Sequence, residues 1–402
     1  MEILQRPEYL AQVQHYFGKE TIIVLTGQRR VGKSYILLSL NDLLSASVDN
    51  NVIYINKEKK EWDNIVTYKD LNKYVEERFA SDKKNFILID EVQEIREFEK
   101  SVRHWRTEPN TDLVLTGSNA ETLSSDLSTL LGARYHEIHI QALTYMDFIR
   151  FHKLEEGEEA LSLYINSGGL PGLVKYDVRD ENEVYSYAQD VLNTALVKDI
   201  ILKHKIRNVP FLYNLVRFLA DSTGKPVSAT SISNYMKGQK SPVSIELVLK
   251  YLQYLCDAYI VTRVPRFDIR GKKLLQSNDK FYFEDTGIRN SCVETNRDKD
   301  IEKVIENIIY HQLIHDGYKV NVGQLLAGEV DFVCVKDKKR VYIQASYIIG
   351  NDETRQREFG ALKGIPDNYP KYVISMTPLV SRNDDEGIQH LSLREFLKKG
   401  LQ

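Results

Sequence analysis

A chain of 402 residues, 42% hydrophobic and 28% charged, has the make-up of an ordinary globular protein, and its length calls for two to four cores rather than one. Its apolar runs, such as residues 21–26, are too short to span a bilayer, and residues 1–17 mix Glu2, Arg6 and Glu8 among apolar ones without the basic start and apolar centre of a signal peptide, so neither a membrane protein nor an exported one is expected. Three distant cysteines, Cys256, Cys292 and Cys334, form no C-x-x-C pair, which predicts free thiols, no structural zinc and a cytoplasmic setting.

The first third alternates between strand and helix. Short apolar runs at 21–26, 51–56, 86–90 and 112–116 end in turn or polar residues, as buried parallel strands do, and helical stretches at 33–45 and 68–81 separate them. The pattern predicts an α/β fold: a parallel sheet covered by helices, with ligands bound at the carboxyl ends of the strands. Residues 144–205 then read as helices interrupted by the Gly168-Gly169-Leu170-Pro171-Gly172 loop, a small lid or connector. Helical stretches at 210–222, 229–236 and 243–256 precede two extended stretches, 259–264 and 280–283, which flank a basic turn; three helices and a hairpin describe a winged helix. From 301 a helix is followed by strands at 319–322, 329–335, 340–345 and 372–375. The expected domains are 1–143, 144–205, 206–292 and 293–402.

The chemistry is concentrated near the start. Gly27-Gln28-Arg29-Arg30-Val31-Gly32-Lys33-Ser34 fits the phosphate-binding loop G-x-x-x-x-G-K followed by Ser or Thr. Two glycines let the backbone curl so that successive N–H groups point inward, and the following helix presents its positive end to the phosphates. Lys33 is placed to reach the β- and γ-phosphates of ATP, and the Ser34 hydroxyl to hold Mg²⁺. Asp90, at the end of the apolar run 86–89, is the expected second holder of the metal, and Glu91 the group that polarises the attacking water. A third strand end, Thr116-Gly117-Ser118-Asn119, offers a polar side chain to orient that water; Ser118 is the first choice and Asn119 the second, against a plain turn or helix cap. Arg134 is a candidate for positive charge at the γ-phosphate, in its own chain or a neighbouring subunit of an oligomer.

These motifs, together with Leu88-Ile89-Asp90-Glu91-Val92-Gln93, the Gly168–Pro171 loop and Phe283-Glu284-Asp285-Thr286-Gly287-Ile288, resemble the prokaryotic AAA+-type ATPases in which a winged helix and a C-terminal domain related to restriction endonucleases follow the ATPase domain. The resemblance implies ATP as substrate, Mg²⁺ as cofactor, and the roles already given to Lys33, Ser34, Asp90 and Glu91.

Two further features concern partners. The net charge of −3 is uneven: residues 201–273 carry 13 Lys or Arg against 4 Asp or Glu. Arg263, Arg266, Arg270, Lys272 and Lys273 cluster at the hairpin, where they could track the phosphates of duplex DNA without strong sequence preference, or dock on a protein. Near the end, Glu306, Asp331 and the run through Gln344 and Ser346 resemble the restriction-endonuclease arrangement. Gln344 and Ser346 stand where a carboxylate and a lysine belong, and an amide and a hydroxyl cannot replace both charges, so a non-catalytic domain is expected. The whole reads as a nucleotide-driven switch, with an ATP-regulated metal-dependent nuclease and a nucleotide-binding scaffold as its rivals.

Overall fold

The computed structural model describes residues 5–117, 134–275, 278–293, 300–325, 328–350, 352–377 and 387–401. Two compact units emerge: Met1–Gln141 with Asp257–Tyr259, and Ala142–Cys256 with Ile260–Gln402.

In the first unit five parallel strands form one sheet: β1 (Ile22–Thr26), β2 (Asn50–Asn56), β3 (Lys84–Asp90), β4 (Thr111–Thr116) and β5 (Tyr135–His139), in the order β2-β3-β4-β1-β5. Every residue of β1 is buried, as is all of β3 beyond Lys84, which explains their unbroken apolar runs: a parallel strand covered on both faces has no solvent side to alternate with. β5 escaped the sequence reading because Tyr-His-Glu-Ile-His is an edge strand with one buried residue, Ile138. Its core joins Ile22, Ile53, Ile87 and Leu113 from the strands to Leu71, Val75, Phe98 and Val102 from two helices, Tyr68–Glu76 and Phe98–Trp105.

The second unit begins with helices Tyr145–His152, Glu158–Ser167 and Glu181–Ala195, the last running on as a π-helical segment, Leu196–Leu202. Helices Val209–Asp221, Ala229–Gly238 and Ile245–Asp257 follow within two residues of expectation, and β6 (Val261–Val264) pairs antiparallel with β9 (Lys280–Phe283). The segment between those strands does more than turn. β7 (Arg266–Asp268) pairs with β8 (Lys273–Leu274) and lies parallel to β10 (Lys319–Leu325), so it extends a mixed seven-stranded sheet, β14-β13-β12-β11-β10-β7-β8. The other members are β11 (Gly328–Lys336), β12 (Lys339–Ser346), β13 (Lys371–Ser375) and β14 (Ile388–Ser392).

Two of the motifs meet here. The Asp285 carboxylate accepts the Gly169 N–H at 2.7 Å and the Ile288 N–H at 2.9 Å, joining the glycine loop to the helix Thr286–Ser291. Gly168 has φ +73°, and a Cβ there would lie 2.4 Å from the Gly287 nitrogen, so only glycine fits.

Candidate nucleotide site

The sheet order brings three polar strand ends to one edge. Asn56 is level with Asp90, Ile89 with Leu115, and Thr116 with Leu25, so β4 stands between the strand that feeds the glycine loop and the strand that ends in Asp90. The intervening strand supplies the link, and its last residue, Thr116, is the one that sequence reasoning missed.

Thr116 is fully buried and its hydroxyl works in two directions. It donates to Asp90 Oδ1 at 2.5 Å and accepts the Glu91 N–H at 2.9 Å. Ser34, from the first turn of the helix Lys33–Ser45, donates to the same Asp90 Oδ1 at 3.2 Å. Burial raises Asp90 above the ordinary carboxylate range, while the hydrogen bonds from Thr116 and Ser34 pull it back. Glu91 is likewise raised by burial, opposed chiefly by the Lys33 ammonium and then by the Gln93 amide, which donates to Glu91 Oε2. The Glu91 backbone is left-handed, φ +55°, which turns its side chain out of the strand direction.

The loop is shaped as its sequence requires. Gly27 has φ +131° and Gly32 φ +100°, and a Cβ on Gly27 would lie 2.2 Å from the Ile140 carbonyl oxygen. Lys33 is buried and donates through Nζ to the carbonyls of Gly27 at 2.7 Å and Gln28 at 2.9 Å, so its charge is held over the loop. Val31 anchors the loop in the core, Arg29 lies near Glu91, and Arg30 is exposed.

The residues fit Mg²⁺ and a phosphate chain. Asp90 Oδ2 is buried without a partner among the described residues, beside the Ser34 hydroxyl. A buried carboxylate oxygen with no donor is costly, and a hard cation that favours oxygen ligands answers that cost.

Other nominated residues fare differently. Ser118 and Asn119 lie outside the described residues. Arg134 precedes β5 at the level of Ile22, whose N–H its carbonyl accepts, at the amino edge of the sheet, about 16 Å of strand away from the glycine loop. It cannot serve its own chain's γ-phosphate position. In the second unit Arg263 is ion-paired with Asp279 and Arg266 donates to Gln324, whereas Arg270, Lys272 and Lys273 are exposed and have no such ties among the described residues. Glu306 and Asp331 do come together, but around Lys280 of β9, a residue the sequence reading passed over; Gln344 accepts the Asp331 N–H at 3.3 Å and Ser346 is buried. A lone lysine heading the buried run Lys280-Phe281-Tyr282-Phe283 was the available signal.

A five-stranded parallel sheet with a glycine loop after β1 and an acidic pair at the end of β3 is the arrangement of a P-loop domain, and comparison with known proteins agrees. Residues 19–149 match the family model of an AAA domain, and residues 158–299 that of a domain of unknown function (DUF8612). An uncharacterised protein of Haemophilus influenzae is 31% identical over 380 residues, covering 93% of both chains. Another, from Methanocaldococcus jannaschii, is 26% identical over 362 residues, 86% of this chain and 79% of that one. The Walker-type ATPase of Pyrococcus abyssi shares the fold, with a TM-score of 0.53 at 14% identity over 72% of this chain and 95% of that one. The chain belongs to the family of the Haemophilus protein; in this chain the AAA-domain match precedes the match to the domain of unknown function. An AAA domain implies ATP binding, typically with Mg²⁺. Among the described residues no helix is long and apolar enough to cross a membrane.

Proposed function

We propose that the chain hydrolyses ATP to ADP and phosphate and uses the reaction as a switch on the second unit's hold of a partner. The observation that carries this is the Asp90 carboxylate, which shares its Oδ1 with Ser34 and Thr116 and keeps a buried Oδ2 without a partner among the described residues at the carboxyl edge of the sheet. In this reading the backbone from Gly27 to Ser34 wraps the phosphates, Lys33 binds the β- and γ-oxygens, and Ser34 and Asp90 hold Mg²⁺. The metal supplies positive charge against the phosphate oxygens. Glu91 takes the proton of the attacking water, and its position after a buried strand keeps bulk water from competing for it. Arg134 is assigned to the γ-phosphate of a neighbouring subunit.

The same proposal divides the chain at 143, 205 and 292 into ATPase, helical connector, winged helix and a restriction-endonuclease-like domain without nuclease activity. Support for the winged helix is the run of three helices ahead of the β6–β9 pair. Duplex DNA is the favoured partner, through Arg270, Lys272 and Lys273. Three phosphate contacts give a salt slope of about −2.7, which weakens binding about 40-fold between 50 and 200 mM salt.

The deciding experiment is phosphate release from Mg-ATP, with and without duplex DNA, across that salt range. Release that requires Mg²⁺, and a DNA stimulation that fades as calculated, would support the proposal; no affinity for ATP would end it. A second reading, docking on a protein, is favoured by the helix Ile245–Asp257, which exposes Ile245 and Leu249 where a DNA-reading helix would present polar donors. A flat salt response selects it.

A further inference from the structure

The acidic residues of the second unit that resemble a nuclease centre surround a cation of the protein's own. Lys280 is 1% exposed, and its Nζ lies 2.7 Å from Glu306 Oε1, 2.6 Å from Glu329 Oε1 and 3.2 Å from Asp331 Oδ1. Three carboxylates from two elements, one on the helix Ile301–His315 and two on β11, converge on one ammonium supplied by β9. Tyr282, two residues along β9, adds a hydroxyl donor to Glu306 Oε1 at 2.5 Å.

We infer that the Lys280 ammonium is the resident cation of this cluster and excludes a divalent metal from it. The inference stands apart from the ATPase reading and survives or fails without it. Its first support is position. A lysine that assists phosphodiester cleavage stands beside the metal and faces the substrate, whereas Lys280 touches all three carboxylates at once, at their common centre. A cavity of about 580 Å³ opens next to the cluster, with Glu306, Glu329, Asp331, Gln344, Arg357 and Glu358 on its wall, and Lys280 is not on that wall. The carboxylates of Glu329 and Asp331 stand between its ammonium and the cavity.

The second support is where the remaining oxygens are used. Asp331 Oδ2 accepts the Ala345 N–H at 2.9 Å and Oδ1 the Lys280 ammonium, so each of its oxygens already has a donor. Glu306 Oε1 is shared by Lys280 and Tyr282, and its Oε2 is turned against Gly224, where a Cβ would lie 2.6 Å away. Glu358 is ion-paired with Arg357 at 2.7 Å. A divalent ion needs several oxygens within about 2.0–2.6 Å, and the sphere around Lys280 could supply them only with the lysine gone.

Counting bound Mn²⁺ by the paramagnetic signal of the free ion, without nucleotide, tests this. Wild type and Asp331→Asn should bind the same number of ions. Lys280→Met, nearly the same shape without the charge, should bind one more ion per chain, and Lys280→Met with Asp331→Asn should lose it again. Should Lys280→Met fold only with Mn²⁺ present, metal has replaced the lysine and the inference is supported; Lys280→Gln serves as the second neutral variant. A wild-type ion lost on Asp331→Asn would overturn the inference, since metal and lysine would then coexist. So would folded neutral variants that gain no ion, or variants that stay unfolded even in Mn²⁺.

Discussion

Replacing Thr116 with Val preserves shape and burial while deleting one hydroxyl, and two defects follow from that single atom. The Glu91 N–H loses its acceptor inside the protein, at a cost of about 1–3 kcal/mol, and Asp90 loses a donor to a charged oxygen, worth about 1.5–3 kcal/mol. Because the two share one hydroxyl they do not simply add, and a loss of about 2–4 kcal/mol is expected for the first unit. Both tryptophans of the chain, Trp62 and Trp105, sit in that unit's core, so tryptophan fluorescence in urea follows it alone. The midpoint should fall by about 1–2 M. Without the Thr116 donor Asp90 also ionises less readily, and the Mg²⁺ concentration for half-maximal ATP turnover should rise about 10-fold, the equivalent of ~1.4 kcal/mol. Thr116→Ser keeps the hydroxyl and should stay near wild type in both assays. A valine variant with wild-type urea midpoint and wild-type Mg²⁺ demand would refute the reasoning, and Thr116 would then be a packing residue only.

Glu91→Gln should bind ATP normally and slow turnover about 10²- to 10⁴-fold in a phosphate-release assay. Because burial raises the Glu91 carboxyl, the wild-type rate should climb with pH above the ordinary carboxylate range, and the glutamine variant's residual rate should lack that limb. Gly27→Ala places a methyl 2.2 Å from the Ile140 carbonyl oxygen at φ +131°, so ATP affinity measured by calorimetry should fall below detection or the first unit should melt early. Asp285 is held up at about 6 by burial, against three backbone N–H donors, so the folded chain binds its proton more tightly than the unfolded chain does. Stability from this group is therefore present below about pH 4 and declines as pH rises to about 6, by about 3 kcal/mol for a shift of about two units. Asp285→Asn should remove that part of the pH dependence from the urea midpoint followed by circular dichroism; an unchanged slope would take Asp285 out of the account.

How much could be read from residues alone varied with the kind of interaction. β1, β3 and β4 were legible because strands buried on both faces leave an uninterrupted apolar run, β2 from its short apolar run at 52–55 although it is an edge strand, and the glycine loop because its conformation permits few residues. Helices from Val209 to Asp257 were legible from their 3.6-residue apolar spacing. Strands β5 and β14 were not, since one is an exposed edge and the other follows a stretch with no periodic signal. Within the site, Asp90 and Glu91 were visible as charges at the end of an apolar run. Thr116 was not, because its role depends on which strand lies between β1 and β3, and strand order is a long-range property that no local pattern encodes. The same applies to Lys280, whose carboxylate partners lie 26 to 51 positions away.

The parallel pairing of β7 with β10 has a practical side for anyone cutting the chain apart. A fragment started at residue 293 would keep five strands of the last sheet but leave β10 with one bare margin, its N–H and C=O groups from Val322 to Gln324 open to the nearest other chain. Such a piece would be expected to clump on expression. One begun at Ile260 would carry the β7–β8 ribbon with it and keep that margin shielded.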